Sequence, residues 1–130
     1  MNFQSGIPIY TQVIGALQEQ MITGSLRPGD KLPSSRELAK EFTINPNTAS
    51  RVYSEMDTMG LTFTRRGIGT FVTEDESVLA AMREDYTRGL IEDFVKKMQR
   101  IGCKAEELPE LLQHYVDHTG SHTAEDSMQE

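Results

Sequence analysis

The sequence predicts a mainly α-helical protein with one small β-hairpin, followed by a short helical region. Three observations support this prediction. Capping sequences at 32–39 and 45–48 start two consecutive short helices, a glycine-rich hairpin sequence follows at 65–72, and an apolar stripe runs along the second half of the chain. Helix, turn, helix and hairpin in this order form the pattern of a winged helix-turn-helix.

The charge of the chain is distributed unevenly. The 130 residues carry a net charge of −7, which by itself argues against a nucleic-acid partner. Residues 1–73, however, hold seven Lys/Arg and six Asp/Glu, for a net charge of +1, whereas residues 74–130 hold six and fourteen, for −8. This asymmetry fits a neutral-to-basic unit that faces a polyanion, joined to an acidic region that polyanions avoid.

Composition also indicates the compartment. The sequence contains no apolar run of 18 residues, so we expect no membrane contact. Its first residues lack the basic and then apolar pattern of a secretory signal. The single cysteine, Cys103, excludes an intramolecular disulfide. Together these features predict a cytoplasmic protein.

The first helix is predicted from apolar spacing, and the next two from their caps. Apolar side chains recur at four-residue steps over 9–24, up to a glycine that ends the helix. Ser34 and Glu37 have the spacing of a capping box. Asn45 and Pro46 suit the N-cap and the first position of the third helix, which Gly60 ends.

The rest of the chain is predicted as a hairpin, two helices and a tail. Strands at 61–64 and 70–73 flank a basic tip. A long helical pattern covers 75–101, and a shorter one covers 105–118, with Pro109 tolerated in its first turn. We therefore predict three parts: a winged helix-turn-helix domain at 1–73, a two-helix dimerisation region at 74–118 and a polar tail at 119–130.

The apolar stripe of the long helix predicts a homodimer. The second region has too few residues to cover that stripe itself. Each buried Leu, Ile, Phe or Met contributes about 1.5–3 kcal/mol, so a second copy is the economical cover. The residues assigned to the dimer contact are Met82, Tyr86, Leu90, Ile91, Phe94, Val95, Met98 and Leu112.

The polar face of the third helix and the basic hairpin predict double-stranded DNA as a partner. Asn, Thr and Arg side chains on such surfaces bond to base edges or phosphates. The candidate contacts are Arg36, Asn47, Thr48, Ser50, Arg51, Arg65, Arg66 and Gly67. The alternative is a winged-helix module for protein–protein contact, which would not need an arginine pair flanked by glycine in its hairpin. A two-fold dimer would require an inverted-repeat operator.

Over its first 73 residues the sequence resembles the GntR family of bacterial transcription regulators. The resemblance implies that the side chains matching Arg36, Asn47, Thr48, Ser50, Arg66 and Gly67 contact DNA. Some relatives carry arginine where this chain has Pro46 and Ser50, and Arg51 is a candidate replacement. The matching residues are Pro8, Ile9, Tyr10, Gln12, Val13, Gly24, Leu26, Pro28, Gly29, Leu32, Pro33, Ser34, Arg36, Glu37, Leu38, Ala39, Asn45, Pro46, Asn47, Thr48, Tyr53, Gly60, Arg65, Arg66, Gly67, Gly69, Thr70, Phe71 and Val72.

The short second region resembles that of the YtrA-like subfamily. This resemblance implies regulation of a neighbouring transporter operon, often one for ATP-driven export. Our hypothesis from the sequence is a dimeric transcriptional repressor. Larger subfamilies add a sizeable effector-binding domain, and about 57 residues cannot enclose a comparable pocket. Whether a small-molecule effector exists is left open.

No catalytic, cofactor or metal pattern emerges from the sequence. Nucleophile elbow, phosphate loop and paired carboxylates with a base are all missing, so we expect no enzyme and no cofactor. His114, His118 and His122 stand at four-residue steps, and the first two could share a helix face. We interpret them as surface residues rather than metal ligands.

Overall fold

The computed structural model describes residues 2–120 of the chain. They divide into two compact units, of which the first ends at Tyr86 and the second begins at Thr87. The elements in chain order are α1 (Ile9–Thr23), α2 (Ser35–Phe42), α3 (Pro46–Thr58), β1 (Thr62–Arg65), β2 (Gly69–Val72), α4 (Glu76–Arg100), a 3₁₀ turn (Ala105–Glu107), α5 (Leu108–Tyr115) and a π-helical turn (Val116–Gly120).

Side-chain caps start the two short helices, as the sequence predicts. The N–H of Glu37 donates to Ser34 Oγ at 3.1 Å, and the N–H of Ser34 donates back to Glu37 Oε1 at 3.0 Å. At α3 the side chain of Asn45 accepts from the N–H of Asn47 at 2.8 Å. Both caps satisfy backbone donors that the helix itself leaves without partners, so both predicted helix starts are confirmed.

The turn between α2 and α3 contains the one non-glycine residue of positive φ among the described residues. Thr43 has φ 54°, a region that β-branched residues rarely adopt. Its neighbour Ile44 donates its N–H to the carbonyl of Ala39 at 2.9 Å and packs against the core. The sequence pattern gave no sign of this strained residue, because a threonine has no special preference for the conformation.

The core of the first unit forms around the inner face of α3. This face buries Ala49, Val52, Tyr53 and Met56, because apolar residues at these spacings lie on one side of a helix. α1 and α2 both contact α3, and β1 adjoins its end. The other core residues are Val13, Ile14, Leu17, Leu32, Leu38, Ala39, Phe42, Leu61, Val72 and Met82.

The hairpin is antiparallel and has a small third partner. Phe63 faces Phe71 across the ladder, and Thr64 faces Thr70. The segment before α2 joins β2 through a bridge between Lys31 and Phe71. Backbone bonds complete this contact, with the N–H of Leu32 donating to Thr70 O at 2.8 Å. This hairpin (β1, the turn and β2) is called the wing below. It is therefore held to the body of the unit along its second strand.

The first three turns of α4 belong to the first unit, which corrects the assignment of Met82. Its side chain is 6% exposed and lies in the core with Val78 and Leu79 packed nearby. Met82 is therefore covered within its own chain and is not free to contact a second copy. For the same reason the first unit extends to Tyr86, beyond the boundary predicted after residue 73.

The second unit leaves most of its apolar side chains in solvent. Of the apolar residues of α5, only Leu108 is buried in the single chain. Two short stretches of helix cannot enclose so many apolar groups between them. The exposed ones are Leu90, Ile91, Phe94, Ile101, Leu111, Leu112, Tyr115 and Val116. The predicted polar tail and His122 lie outside the described residues, apart from residues 119–120.

The described helices include none with both the length and the apolar composition that crossing a bilayer requires. α4, the longest with 25 residues, carries charged side chains throughout its length.

The capping box of α2 should give the protein a measurable pH dependence. The hydrogen bond from the backbone N–H of Ser34, followed by that from its side chain, lowers the pKa of Glu37 below its ordinary 4.5. Stabilisation from a carboxyl with a lowered pKa is complete above the ordinary value and disappears as the pH falls through the lowered one. We expect the free energy of unfolding to fall below about pH 4.5, and to fall less steeply in Glu37→Gln.

Urea denaturation at several pH values measures this difference in slope. Glu41→Gln is the control, since it removes a carboxylate from the same helix outside the capping box. The informative range is pH 2.5 to pH 4.5, which covers about two units below the ordinary pKa. Equal slopes of the free energy of unfolding against pH for Glu37→Gln and the wild type in that range would contradict the expectation.

Candidate nucleic-acid interface

Burial of one face of α3 leaves its opposite face in solvent. Asn47 and Ser50 are exposed there, and Thr48 is half-buried beside them. Because Asn47 and Ser50 are three residues apart, they lie on the same side of the helix. The predicted contacts on this helix are thus free of any role in the core, except for the partial burial of Thr48.

A buried tyrosine connects α3 to the start of α2. The hydroxyl of Tyr53 donates to the carbonyl of Pro33, which immediately precedes the cap of α2. Burial raises the pKa of Tyr53, and the negative charges of Glu41 and Glu37 raise it further. The phenol therefore stays protonated and keeps donating. This bond fixes the N-terminus of α2 beside α3, which is the predicted recognition helix.

Arg36 lies in the first turn of α2 and is exposed. It lines an open cleft of about 700 Å³ together with Lys40 and with Pro46, the first residue of α3. The structure therefore brings Arg36 to the beginning of the predicted recognition helix. A guanidinium at this place is suited to a phosphate or a guanine edge.

The tip of the wing is a tight turn that needs its glycine. The N–H of Ile68 donates to the carbonyl of Arg65 at 2.9 Å, and Gly67 has φ 80° at the third turn position. That is the pattern of a type II turn, in which the third residue has positive φ. Gly67 is therefore required for the shape of the tip, whether or not its backbone touches DNA.

The wing and the start of α2 share a second cleft. It has a volume of about 440 Å³, and its lining includes Lys31, Ser34, Arg65 and Arg66. Arg65 also lies over the ring of Phe63, with its guanidinium carbon 5.6 Å from the ring centre. Three cationic side chains thus line one cleft beside a helix N-terminus, together with the carboxylate of Glu37. The cations and the helix N-terminus are suited to binding phosphate.

Arg51 has other partners than the sequence suggests. Its guanidinium stacks on the ring of Tyr10 at 3.8 Å from the centre, and its Nε lies 4.0 Å from Glu55. A cation over an aromatic face is an attractive contact. Arg51 therefore stands at the α1 side of α3, apart from the two clefts that hold Arg36 and Arg66.

Sequence reasoning missed Lys31 and the contact between Tyr10 and Arg51. Lys31 forms a backbone β-bridge with Phe71 of the wing, and the ring of Tyr10 packs against the guanidinium of Arg51. Both contacts link residues about 40 positions apart along the chain, so no local spacing could reveal them. The lysine three residues before the N-cap of α2 was the one available signal.

Among the described residues, the histidine pair stands without a third metal ligand nearby. The rings of His114 and His118 lie with their centres 4.1 Å apart, and Nδ1 of His118 donates to the carbonyl of His114 at 2.8 Å. Over residues 2–120, no group of three or more His, Cys, Asp or Glu side chains is placed to hold a metal ion.

Comparison with known proteins agrees with this geometry. Residues 9–72 match the model for the gntR family of bacterial regulatory proteins. The HTH-type transcriptional regulator YhcF of Bacillus subtilis (strain 168) is 41% identical over 116 residues, covering 89% of this chain and 96% of YhcF. The HTH-type transcriptional repressor YtrA of the same organism is 34% identical over 110 residues, covering 84% and 85%.

One solved structure shows the same architecture over most of this chain, and a second shows it over about half. A GntR family transcriptional regulator from Listeria monocytogenes superposes with a TM-score of 0.76 at 32% identity, covering 86% of this chain and 98% of that one. The DNA-binding domain of AraR in complex with operator ORX1 gives a TM-score of 0.52 at 27% identity, covering 55% and 93%.

Fold and relatives together define a winged helix-turn-helix regulator of transcription that binds DNA. The chain belongs to the GntR family, which confirms the resemblance seen in the sequence. Its relatives YhcF and YtrA are regulators, in agreement with the prediction that the chain is not an enzyme.

Two arginines provide a direct test of the interface. We expect Arg36→Ala and Arg66→Ala each to weaken operator binding, by about 1–3 kcal/mol where a base contact is lost. Fluorescence anisotropy with a duplex from the chain's own promoter region measures the loss. Where the lost contact is to a phosphate, the salt dependence of log K should become shallower by about one unit.

The control is Arg100→Ala, which removes one positive charge from the second unit. Circular dichroism should show the same helix content in all three variants. Wild-type affinity in both Arg36→Ala and Arg66→Ala would refute the assignment of these side chains to the interface.

Proposed function

We propose that the protein is a homodimeric repressor that binds an inverted-repeat operator, and that it controls a transporter operon. The similarity to YhcF and YtrA over more than four-fifths of each chain supports this, since YtrA is named a repressor. The transporter operon follows from the resemblance to the YtrA-like subfamily. We assign the base and phosphate contacts with the operator to Arg36, Asn47, Thr48, Ser50, Arg65, Arg66 and Gly67.

The observation that carries the dimer is the uncovered apolar surface of the second unit. Leu90 is 58% exposed, and Ile91 and Phe94 extend the same surface of α4. Leu112 is also exposed, whereas Val95 and Met98 are half-buried. Burial of such side chains contributes about 1.5–3 kcal/mol each, so leaving them in water is costly.

A second copy of the same surface is the occupant we propose for this face. A two-fold axis pairs identical patches, so each exposed side chain would meet its equivalent or a neighbour. Met82 is left out of this contact because its own unit buries it. Ile101, Leu111, Tyr115 and Val116 join it, because they are exposed in the same unit.

The dimer contact can be broken by charge. We expect Leu90→Glu combined with Phe94→Glu to give monomers, because burying two carboxylates without partners costs more than the contact gains. Analytical ultracentrifugation at micromolar concentration measures the mass. Gln99→Glu, which adds a charge to the same helix at an exposed polar residue, should leave the dimer intact. A monomeric wild type would contradict the proposal outright.

The two DNA-binding units of such a dimer demand a symmetric operator. Each recognition helix needs a major groove on the same side of the duplex, so the half-site centres should lie roughly one helical turn, about 34 Å, apart. A small-molecule effector would act by binding one arrangement of the dimer's two DNA-binding units more tightly than another arrangement.

Half-site spacing tests this geometry. Insertion of about five base pairs, half of a helical turn, between the two halves should abolish tight binding, because one half-site then faces away. Insertion of about ten base pairs is the companion measurement: it returns both halves to one side of the DNA but doubles their separation, so fixed heads should also lose tight binding there, whereas loosely joined heads would regain it. Footprinting should show one protected site with two symmetric halves. Undiminished affinity after the short insertion would exclude two fixed heads on an inverted repeat.

A further inference from the structure

The two faces of the wing differ in chemistry. Phe63 and Phe71 are cross-strand partners on one face, with ring centres 5.4 Å apart and nearly parallel. Because side chains alternate along a strand, Thr62, Thr64 and Thr70 lie on the opposite face. Thr62 is only 4% exposed and Thr70 8%, so their hydroxyls need partners within the protein.

A single carboxylate at the end of α3 accepts from Thr62 directly and is connected to Thr70 through Thr64. The hydroxyl of Thr62 donates to Asp57 Oδ1, and the hydroxyl of Thr64 donates to Asp57 Oδ2 at 2.7 Å. Thr64 and Thr70 lie 2.9 Å apart, oxygen to oxygen. Since a hydroxyl has one proton and Thr64 gives its own to Asp57, Thr70 is the donor in that pair. The result is a directed chain of hydrogen bonds from β2 through β1 into α3.

Asp57 stands at a place where an isolated helix would not favour it. It lies in the last turn of α3, where the helix macrodipole is negative and disfavours a carboxylate. Bonds from hydroxyls to a charged acceptor are stronger than those between neutral groups. The bonds to the hairpin therefore explain why an aspartate stands in the last turn of α3, whereas the helix alone would disfavour it.

A small rotation at this contact would displace the tip of the wing by several ångströms. Backbone bonds from 29–32 hold β2 without involving α3, and the N–H of Leu61, just before β1, donates to the carbonyl of Met56 in α3 at 3.0 Å. The carboxylate of Asp57 adds side-chain bonds to α3 further along β1. From Thr62 to Arg65, the last residue of β1, the strand extends about 10 Å at 3.3 Å per residue. A rotation of about 15° at the root would then move the tip by roughly 3 Å, enough to break a hydrogen bond.

We propose that Asp57 is a positioning residue that sets the angle of the wing against the recognition helix, so that Arg66 and the face of α3 reach the same stretch of DNA. The proposal rests on the proposed function to the extent that both elements contact one operator. It assigns Asp57 no contact with DNA.

The orientation itself can be measured without DNA. Residual dipolar couplings of backbone N–H groups in the full-length protein report the direction of the hairpin relative to α3. We expect Asp57→Ala and Thr64→Val to change the couplings of 62–72 while those of α1 to α3 keep one common alignment. Thr58→Ala is the matched control, because its hydroxyl bonds only within the helix, to the carbonyl of Ser54 at 3.0 Å. Unchanged hairpin couplings in both variants overturn the proposal, whatever the DNA measurements give.

A double-mutant cycle then tests the consequence for binding. If Arg66→Ala weakens operator binding tenfold in the wild type, it should weaken it less than threefold in Asp57→Ala, because the wing no longer places Arg66 correctly. The cost of Arg36→Ala should stay within twofold in both backgrounds, since Arg36 lies on α2. A general loss of stability would change both costs together. An equal cost of Arg66→Ala in both backgrounds overturns the role of Asp57 in binding.

The two proposals fail in different ways. If Arg66→Ala has no effect even in the wild type, the wing contact of the proposed function is wrong, while the dipolar couplings still decide the role of Asp57. Asp57→Asn separates charge from hydrogen bonding. It keeps one accepting oxygen, so its hairpin couplings should fall between those of the wild type and Asp57→Ala.

Discussion

The whole first unit depends on one constraint, which is that α3 must be the centre of the core and the exposed reading surface at once. Its inner residues, Val52, Tyr53 and Met56 among them, are buried by α1, α2 and the root of the wing. A helix packed so tightly on one side cannot rotate, and its other side therefore presents Asn47 and Ser50 in fixed directions. Close packing of the interior is what turns a polar helix face into a surface of defined shape.

Features that depend on neighbours in sequence could be predicted from the sequence. The caps at Ser34 and Asn45 and the positive φ of Gly60 and Gly67 all follow from the preferences of one to four adjacent residues. Features that depend on distant partners could not. The wing root at Asp57 and the stacking of Arg51 on Tyr10 require the fold to be known first.

The misplaced Met82 shows a further limit of periodicity. The apolar stripe continues without interruption from 78 to 101, so it predicts a single surface with a single partner. In the structure Met82, in the first part of that stripe, is buried within its own chain, whereas Leu90, Ile91, Phe94 and Ile101, in the later part, are exposed. Spacing indicates which side of a helix is apolar, but it does not indicate which molecule covers it.

The depth to which α4 enters the first unit affects how such proteins can be recombined. Because Met82 fills part of the core, a gene fusion made directly after the wing would remove a buried side chain and leave a cavity, at a typical cost of about 2–5 kcal/mol for a residue of this size. A viable exchange of C-terminal regions must therefore keep the first three turns of α4 with the DNA-binding unit. The genetic module is longer than the wing suggests, and its natural junction lies inside a continuous helix.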